Sequence, residues 1–191
     1  MGETKAARDV ALQNIEAFEN EDADYIVSLC ASCASHLKHG APKLVKDYAP
    51  AQAKAFADKV YSYSQFMADV VGLEGTAKTT TAKKTALHSP CHLCRGLGIK
   101  EAPKEVIAAS GNDYVPTSEE ETCCGFGGSF SVSFPAVSNE ILTTKLDDVE
   151  KSGAEVLVTE CPGCVMQLRG GAVKQGREIE VAHLAELLYP E

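Results

Sequence analysis

The sequence contains no long apolar run. No segment approaches the roughly 18 consecutive apolar residues that are needed to span a bilayer. The first residues, MGETKAARDV, are polar and do not form a charged and then apolar export signal. We therefore expect a cytoplasmic protein without a transmembrane segment, and peripheral association with a membrane stays open.

Positive charge is also scarce. The chain has 18 Lys and Arg residues against 27 Asp and Glu residues, which gives a formal net charge of −9. The lysines are scattered, so no basic face is expected for a phosphate backbone. Nucleic acid is therefore not expected to be a partner.

Cysteine, by contrast, is abundant. Eight cysteines occur in a chain of 191 residues, of which 45% are hydrophobic. A chain of this size can bury the cores of one or two domains without disulfides. In a reducing compartment structural disulfides are rare, so the cysteines favour metal or redox roles.

An internal repeat organises the sequence. Residues 22–37 (DADYIVSLCASCASHL) align without a gap with residues 153–168 (GAEVLVTECPGCVMQL), at an offset of 131 residues. Each segment follows a predicted helix, over 6–20 and 137–149, and contains a short strand and then a CxxC turn. A shared helix, strand and CxxC turn indicates duplication of one α/β unit.

The rest of the chain also alternates between helices and strands. The pattern predicts a helix through Val60, Tyr63, Met67, Val70 and Val71 that ends at Gly72, a strand over 85–88 and a helix from Pro103 to Ala109 that Gly111 closes. Such alternation predicts a three-layer α/β fold with a parallel sheet.

The repeat also predicts the domain boundaries. We expect the back half of a first repeat over 1–74, a polar linker over 75–84 and a complete second repeat over 85–191. Position 1 corresponds to Val132 of the second copy, so the first copy is expected to be truncated on its N-terminal side. Either the chain is a fragment or the upstream part is supplied elsewhere.

Five cysteines of the second copy are the candidate ligands: Cys91, Cys123, Cys124, Cys161 and Cys164. Each follows a strand or lies in a glycine-rich loop, and such loops gather at the carboxyl ends of parallel strands. Gly125, Gly127 and Gly128 allow the backbone to approach an inorganic core and to donate N–H bonds to it. Five thiols exceed the four that complete a zinc site or an ordinary four-iron cubane.

The order of these cysteines resembles the cysteine-rich CCG domain. That domain occurs as tandem copies in the cysteine-rich subunit of heterodisulfide reductase and in the iron–sulfur subunits of glycolate oxidase, anaerobic glycerol-3-phosphate dehydrogenase and L-lactate utilisation. The stretches CCGFGGSFSVSFPAVS (123–138) and HSPCHLCRGLGI (88–99) are most similar to the lactate and glycolate branch. The resemblance implies that the five cysteines hold an iron–sulfur cluster, either 4Fe-4S or noncubane.

The resemblance also implies a function and partners. We expect an electron-transfer subunit of an oxidoreductase that oxidises a small 2-hydroxy acid such as L-lactate or glycolate. The sequence has no GxGxxG motif after a strand and no ferredoxin-like segment, so a flavin or ferredoxin-like component is expected on another subunit. A heterodisulfide-reductase-like subunit, a zinc-binding assembly module and thiols that form reversible disulfides are the alternatives.

Several other residues keep two interpretations at this point. Cys30 and Cys33 are either a working ligand pair of the first copy or a vestigial turn. Cys94 is expected to be a bystander thiol. The sequence leaves open whether the following residues serve the site or only the surrounding structure: His88, His92, His36, His39 and Arg95.

Overall fold

The computed structural model describes residues 2–21, 23–74 and 81–188. In its first part, helices and strands follow in this order: α1 (Thr4–Glu19), β1 (Ile26–Ser28), α2 (Ala31–Ser35), a π-helical segment (His36–Gly40), α3 (Ala41–Val45), α4 (Pro50–Lys59), β2 (Val60–Ser62), α5 (Tyr63–Phe66) and a second π-helical segment (Met67–Val71). Strands β1 and β2 pair in parallel, with Ile26 opposite Val60.

The helix predicted over 6–20 is confirmed as α1. Ala11 and Ile15, which are four residues apart and therefore lie on one helix face, are buried. They pack in a core with Val45 and Phe56 from α3 and α4, and with Ile26 from β1. This core holds the first part of the chain together.

The helix predicted through Val60 begins later than expected. Val60–Ser62 is a strand, and the helical segment starts at Tyr63. Val60 is fully buried and pairs with Ile26, so a tertiary contact overrides the apparent helical period. The predicted end at Gly72 is confirmed, because this residue follows the helical segment with φ of 79°.

The second part begins with β3. In chain order it contains β3 (Lys84–His88), a π-helical segment (His92–Leu97), α6 (Ala102–Ala109), β4 (Asp113–Tyr114), α7 (Ser129–Ser133), α8 (Pro135–Ser152), β5 (Val156–Thr159), α9 (Pro162–Lys174), β6 (Glu180–His183) and a 3-10 helix (Leu184–Leu187). Most of the predicted linker, residues 75–80, lies outside the described residues, and Lys84 belongs to β3.

The four strands of the second part form one parallel sheet in the order β4-β3-β5-β6. Every residue of β5 is buried, as expected for a central strand that is covered on both faces. The predicted α/β fold with a parallel sheet is therefore confirmed. Helices α8 and α9 cover one face, and α6 with the segment from Tyr63 to Met67 covers the other.

Side chains alternate between the two faces of this sheet. Ala86 and Leu157 pack towards α8 and α9, whereas Leu87 and Val158 pack towards α6. Within the described ranges, no helix is both long enough and apolar enough to cross a bilayer.

Candidate metal centre

A cavity of about 440 Å³ lies at the carboxyl ends of β1, β3 and β5. A water molecule occupies roughly 30 Å³ in the liquid, so the cavity has room for many atoms. It is therefore far larger than a single metal ion requires. The cavity is lined by all five candidate ligands of the second copy and by one cysteine of the first: Cys91, Cys123, Cys124, Cys161, Cys164 and Cys30. Six thiols from four chain segments therefore surround one space.

The sheet brings two of these segments together. Strands β3 and β5 are neighbours, with His88 opposite Thr159 at their ends. Cys91 follows shortly after His88, and Cys161 is the second residue after Thr159. Cys161 also precedes the first turn of α9, where free backbone N–H groups favour a thiolate.

The first CxxC turn has the same local geometry as the second. Cys30 and Cys161 both have extended backbones and both precede a helix. The carbonyl of Cys30 accepts a hydrogen bond from the N–H of Ala34 at 2.9 Å, and that of Cys161 accepts one from Val165 at 2.9 Å. The alignment of residues 22–37 with 153–168 thus corresponds to a structural equivalence.

Two hydrogen bonds hold the first CxxC turn against the second part of the chain. The N–H of Ala31 donates to the carbonyl of Glu160 at 3.0 Å. Nε2 of His183 donates to the carbonyl of Leu29 at 2.7 Å, while its Nδ1 accepts from the N–H of Ala185. These bonds lie on either side of Cys30 and direct it to the cavity.

Helix α8 positions the Cys-Cys-Gly loop. Ser138 Oγ donates to the carbonyl of Gly125 at 2.9 Å, and Gln167 Nε2 donates to the same Ser138 oxygen at 3.1 Å. The N–H of Gly125 in turn donates to Cys123 Sγ at 3.3 Å. Cys124 is buried at 2% exposure, whereas Cys123 is only half-buried, so the adjacent thiols differ in their surroundings.

The thiol of Cys164 is hydrogen-bonded to those of Cys124 and Cys161. The Sγ atoms of Cys124 and Cys164 are 3.4 Å apart. A hydrogen bond from Cys164 lowers the pKa of Cys124 to about 4 and, assisted by the N–H groups of Cys164 and Gly163, lowers the pKa of Cys161 to about 5. The pKa of Cys164 is raised because its proton lies between these two sulfurs. Cys124 and Cys161 therefore ionise first.

Cys91 lies in a different electrostatic environment. Burial raises the pKa of its thiol, and the neighbouring Cys123 raises it further. A positively charged metal centre would reverse this effect, because a coordinated thiol loses its proton.

His88 lies at the buried end of the cavity. Its side chain is 1% exposed, and neither ring nitrogen makes a hydrogen bond of ordinary geometry to a described residue. The imidazole nevertheless lies close enough to Cys124 to help lower the pKa of that thiol. One ring nitrogen and the sulfurs of Cys124 and Cys164 lie within 4.8 Å of one another. In the sequence, the one feature that pointed to His88 was its position shortly before the candidate ligand Cys91. That position alone does not distinguish a histidine of the site from a structural one.

The other residues that had two interpretations are placed as follows. Cys94 is buried, donates to the carbonyl of Cys91 at 3.9 Å and does not line the cavity. Arg95 donates to the carbonyl of Glu121 at 3.0 Å, which is a contact to the backbone just before the Cys-Cys-Gly loop. His92 lines the cavity but is exposed, and Cys33 is exposed and lies outside the lining.

Among the described residues, His36 and His39 do not form a metal site with the cysteines of the first CxxC turn. Both His36 and His39 are exposed. Among the residues that the structure describes, the one cluster of three suitably close ligand atoms is that of His88, Cys124 and Cys164.

The donor set fits an iron–sulfur cluster in its chemistry. Soft thiolates are the ligands of iron–sulfur clusters, and six of them exceed the four that either a tetrahedral zinc ion or an ordinary four-iron cubane requires. The group of His88, Cys124 and Cys164 alone could also supply three ligands to one zinc ion.

Comparisons with known proteins find similar sequences. A family model described as a cysteine-rich domain, CCG, matches residues 1–38 and 85–169. The chain is 36% identical over 189 residues to lactate utilization protein A of Geobacillus sp. (strain WCH70), covering 98% of this chain and 78% of that protein. It is 38% identical over 191 residues to lactate utilization protein A of Exiguobacterium sp., covering 98% and 77%. The protein of that name from Lysinibacillus sphaericus is 35% identical over 190 residues, covering 98% and 82%.

Proposed function

Because the chain belongs to the CCG family of cysteine-rich domain proteins, we propose that it is an iron–sulfur electron-transfer subunit of a lactate-utilisation system. The observation that carries this proposal is the convergence of six cysteine thiols on one cavity. Relatives that are named lactate utilization protein A, at 35 to 38% identity over nearly the whole chain, supply the substrate class.

The ligands in this proposal are the five cysteines of the second copy, and Gly125, Gly127 and Gly128 shape the loop beside them. When bound, an iron–sulfur cluster accepts and donates electrons singly. Hydrogen bonds lower the pKa values of the Cys124 and Cys161 thiols, which favours the thiolate form that binds a cationic centre.

Cys30 is a further donor in this proposal. It lines the same cavity as the other five thiols, and a hydrogen bond from it contributes to the low pKa of Cys161. Cys33 is exposed and is its matched control. We expect Cys30→Ser to lower the iron content or to change the visible spectrum, and Cys33→Ser to leave both unchanged. Equal effects of the two substitutions would remove Cys30 from the ligand set.

Metal analysis after anaerobic purification tests the cofactor. We expect iron and acid-labile sulfide in similar amounts, with broad visible absorbance that dithionite bleaches. About one equivalent of zinc without iron or sulfide would overturn the proposal and support the zinc-binding alternative, which the group of His88, Cys124 and Cys164 favours.

The electron-transfer role requires partners, since hydride transfer from a 2-hydroxy acid needs a flavin or a nicotinamide. We expect L-lactate to bleach the cluster absorbance only when a flavin-containing or ferredoxin-like component of the same system is added. Glycolate in place of lactate distinguishes the two substrates. Turnover of a low-molecular-weight disulfide by the purified protein, without lactate-dependent reduction, would support a heterodisulfide-reductase-like activity instead.

A further inference from the structure

We propose that His88 is a nitrogen ligand of the metal centre, so that the centre is held by mixed sulfur and nitrogen donors. The inference rests on the proposed function, because it concerns the same cavity. It adds one residue that the pattern of cysteines does not contain.

The fold directs His88 towards the thiols. It is the last residue of β3, and side chains alternate along a strand, so His88 shares a sheet face with Ala86. Ala86 packs in the core that contains Cys124 and Cys164. The imidazole therefore lies beneath the cavity, and one of its nitrogens lies within 4.8 Å of both sulfurs.

The energetics of burial also indicate a ligand. An imidazole has two polar nitrogens, and each polar group that is buried without a partner costs about 1 to 3 kcal/mol. At 1% exposure, neither nitrogen of His88 makes a hydrogen bond of ordinary geometry, and the one group that the ring influences is the thiol of Cys124, itself a candidate ligand. If the side chain served only for packing, an apolar residue would avoid this free-energy cost. A metal ion next to the ring would bind one of the nitrogens directly.

Distances between the donors agree with a shared centre. The sulfurs of Cys124 and Cys164 are 3.4 Å apart, and the ring nitrogen lies within the same 4.8 Å group. Ligand atoms that lie 2.0 to 2.3 Å from one ion are separated by roughly 3 to 4 Å in a tetrahedral arrangement. Cys91 and Cys161 line the same cavity and can complete the coordination.

The test uses the purified protein labelled with ¹⁵N-histidine and reduced with dithionite. Pulsed electron paramagnetic resonance should detect a strongly coupled nitrogen whose signal changes with the isotope. His88→Gln should abolish this coupling, and loss of iron to a chelator should become at least about 10-fold faster. His39→Gln, an exposed histidine outside the cavity, should change neither.

A second variant separates ligation from folding. His88→Phe removes both buried nitrogens while keeping an aromatic ring, so the metal-free protein should be as stable as the wild type or more stable. If His88 has only a structural role, both His88 variants should lose iron to the chelator at the wild-type rate.

The outcomes distinguish this inference from the proposed function. Wild-type protein that takes up no iron refutes the iron–sulfur proposal and the ligand role of His88 in it. Wild-type protein with iron and sulfide but without strong nitrogen coupling refutes only the role of His88. Loss of the coupling in His92→Gln instead of His88→Gln would assign the nitrogen to the exposed histidine and also refute the inference.

Discussion

Substitution of the glycine in the Cys-Cys-Gly loop should have a large and calculable effect. Gly125 has φ of 86°, and a Cβ atom there would lie 2.6 Å from the carbonyl oxygen of Ser138. A positive φ costs a non-glycine residue about 1 to 2 kcal/mol, and overpacking costs about 1 to 3 kcal/mol. Displacement of the loop would also break the hydrogen bond from Ser138 Oγ, which is worth about 1 kcal/mol.

We therefore expect Gly125→Ala to lower the free energy of unfolding by about 3 to 6 kcal/mol. Gly153 is the matched control, because it ends α8 with φ of 72° and a Cβ atom there would meet nothing within 4 Å. Gly153→Ala should cost only about 1 to 2 kcal/mol, the penalty for the left-handed conformation.

Urea unfolding of the metal-free variants measures both values on the same scale. Metal content adds a second readout: Gly125→Ala should bind less iron because Cys123 is hydrogen-bonded to the N–H of Gly125, and Gly153→Ala should bind the wild-type amount. If the two variants unfold within about 0.5 kcal/mol of each other, the contact with Ser138 is not rigid and the reasoning is wrong.

Two further pairs of variants test the site and the packing. Cys124→Ser should abolish the visible cluster absorbance, whereas Cys94→Ser should largely retain it, since Cys94 does not line the cavity; equal losses would show that the ligand set is wrong. Gly170→Ala, in open space on α9, should stabilise the protein by about 1 kcal/mol in urea unfolding. Gly171→Ala gains the same helix propensity but places Cβ 2.5 Å from Leu142 Cδ2, so it should be less stable than Gly170→Ala by about 1 to 3 kcal/mol, and equal stabilities would contradict the close packing of α8 on α9.

Local sequence signals predicted the elements that have a clear period. Apolar residues at helical spacing identified α1 and α8, and Pro103 marked the start of α6 to within one residue. The strand β5 was recognisable from its run of branched apolar residues. In each of these elements, the conformation is determined by residues that are close together in the sequence.

Elements that depend on distant partners were harder to predict. Strand β2 has three residues, too few to show a period, and it exists because Val60 pairs with Ile26. Strands β4 and β6 are also short and were not identified from the sequence. Their conformation follows from pairing with β3 and β5, which sequence periodicity does not contain.

By itself, the sequence determined which thiols are available, and it predicted that the two CxxC turns belong to one repeated unit. It could not determine that Cys30 lies at the cavity of the second copy, because that position depends on the bonds from Ala31 to Glu160 and from His183 to Leu29. Nor could it determine that the imidazole of His88 is buried next to Cys124 and Cys164. Ligand chemistry is a property of residue type, whereas the meeting of ligands is a property of the packed sheet and its loops.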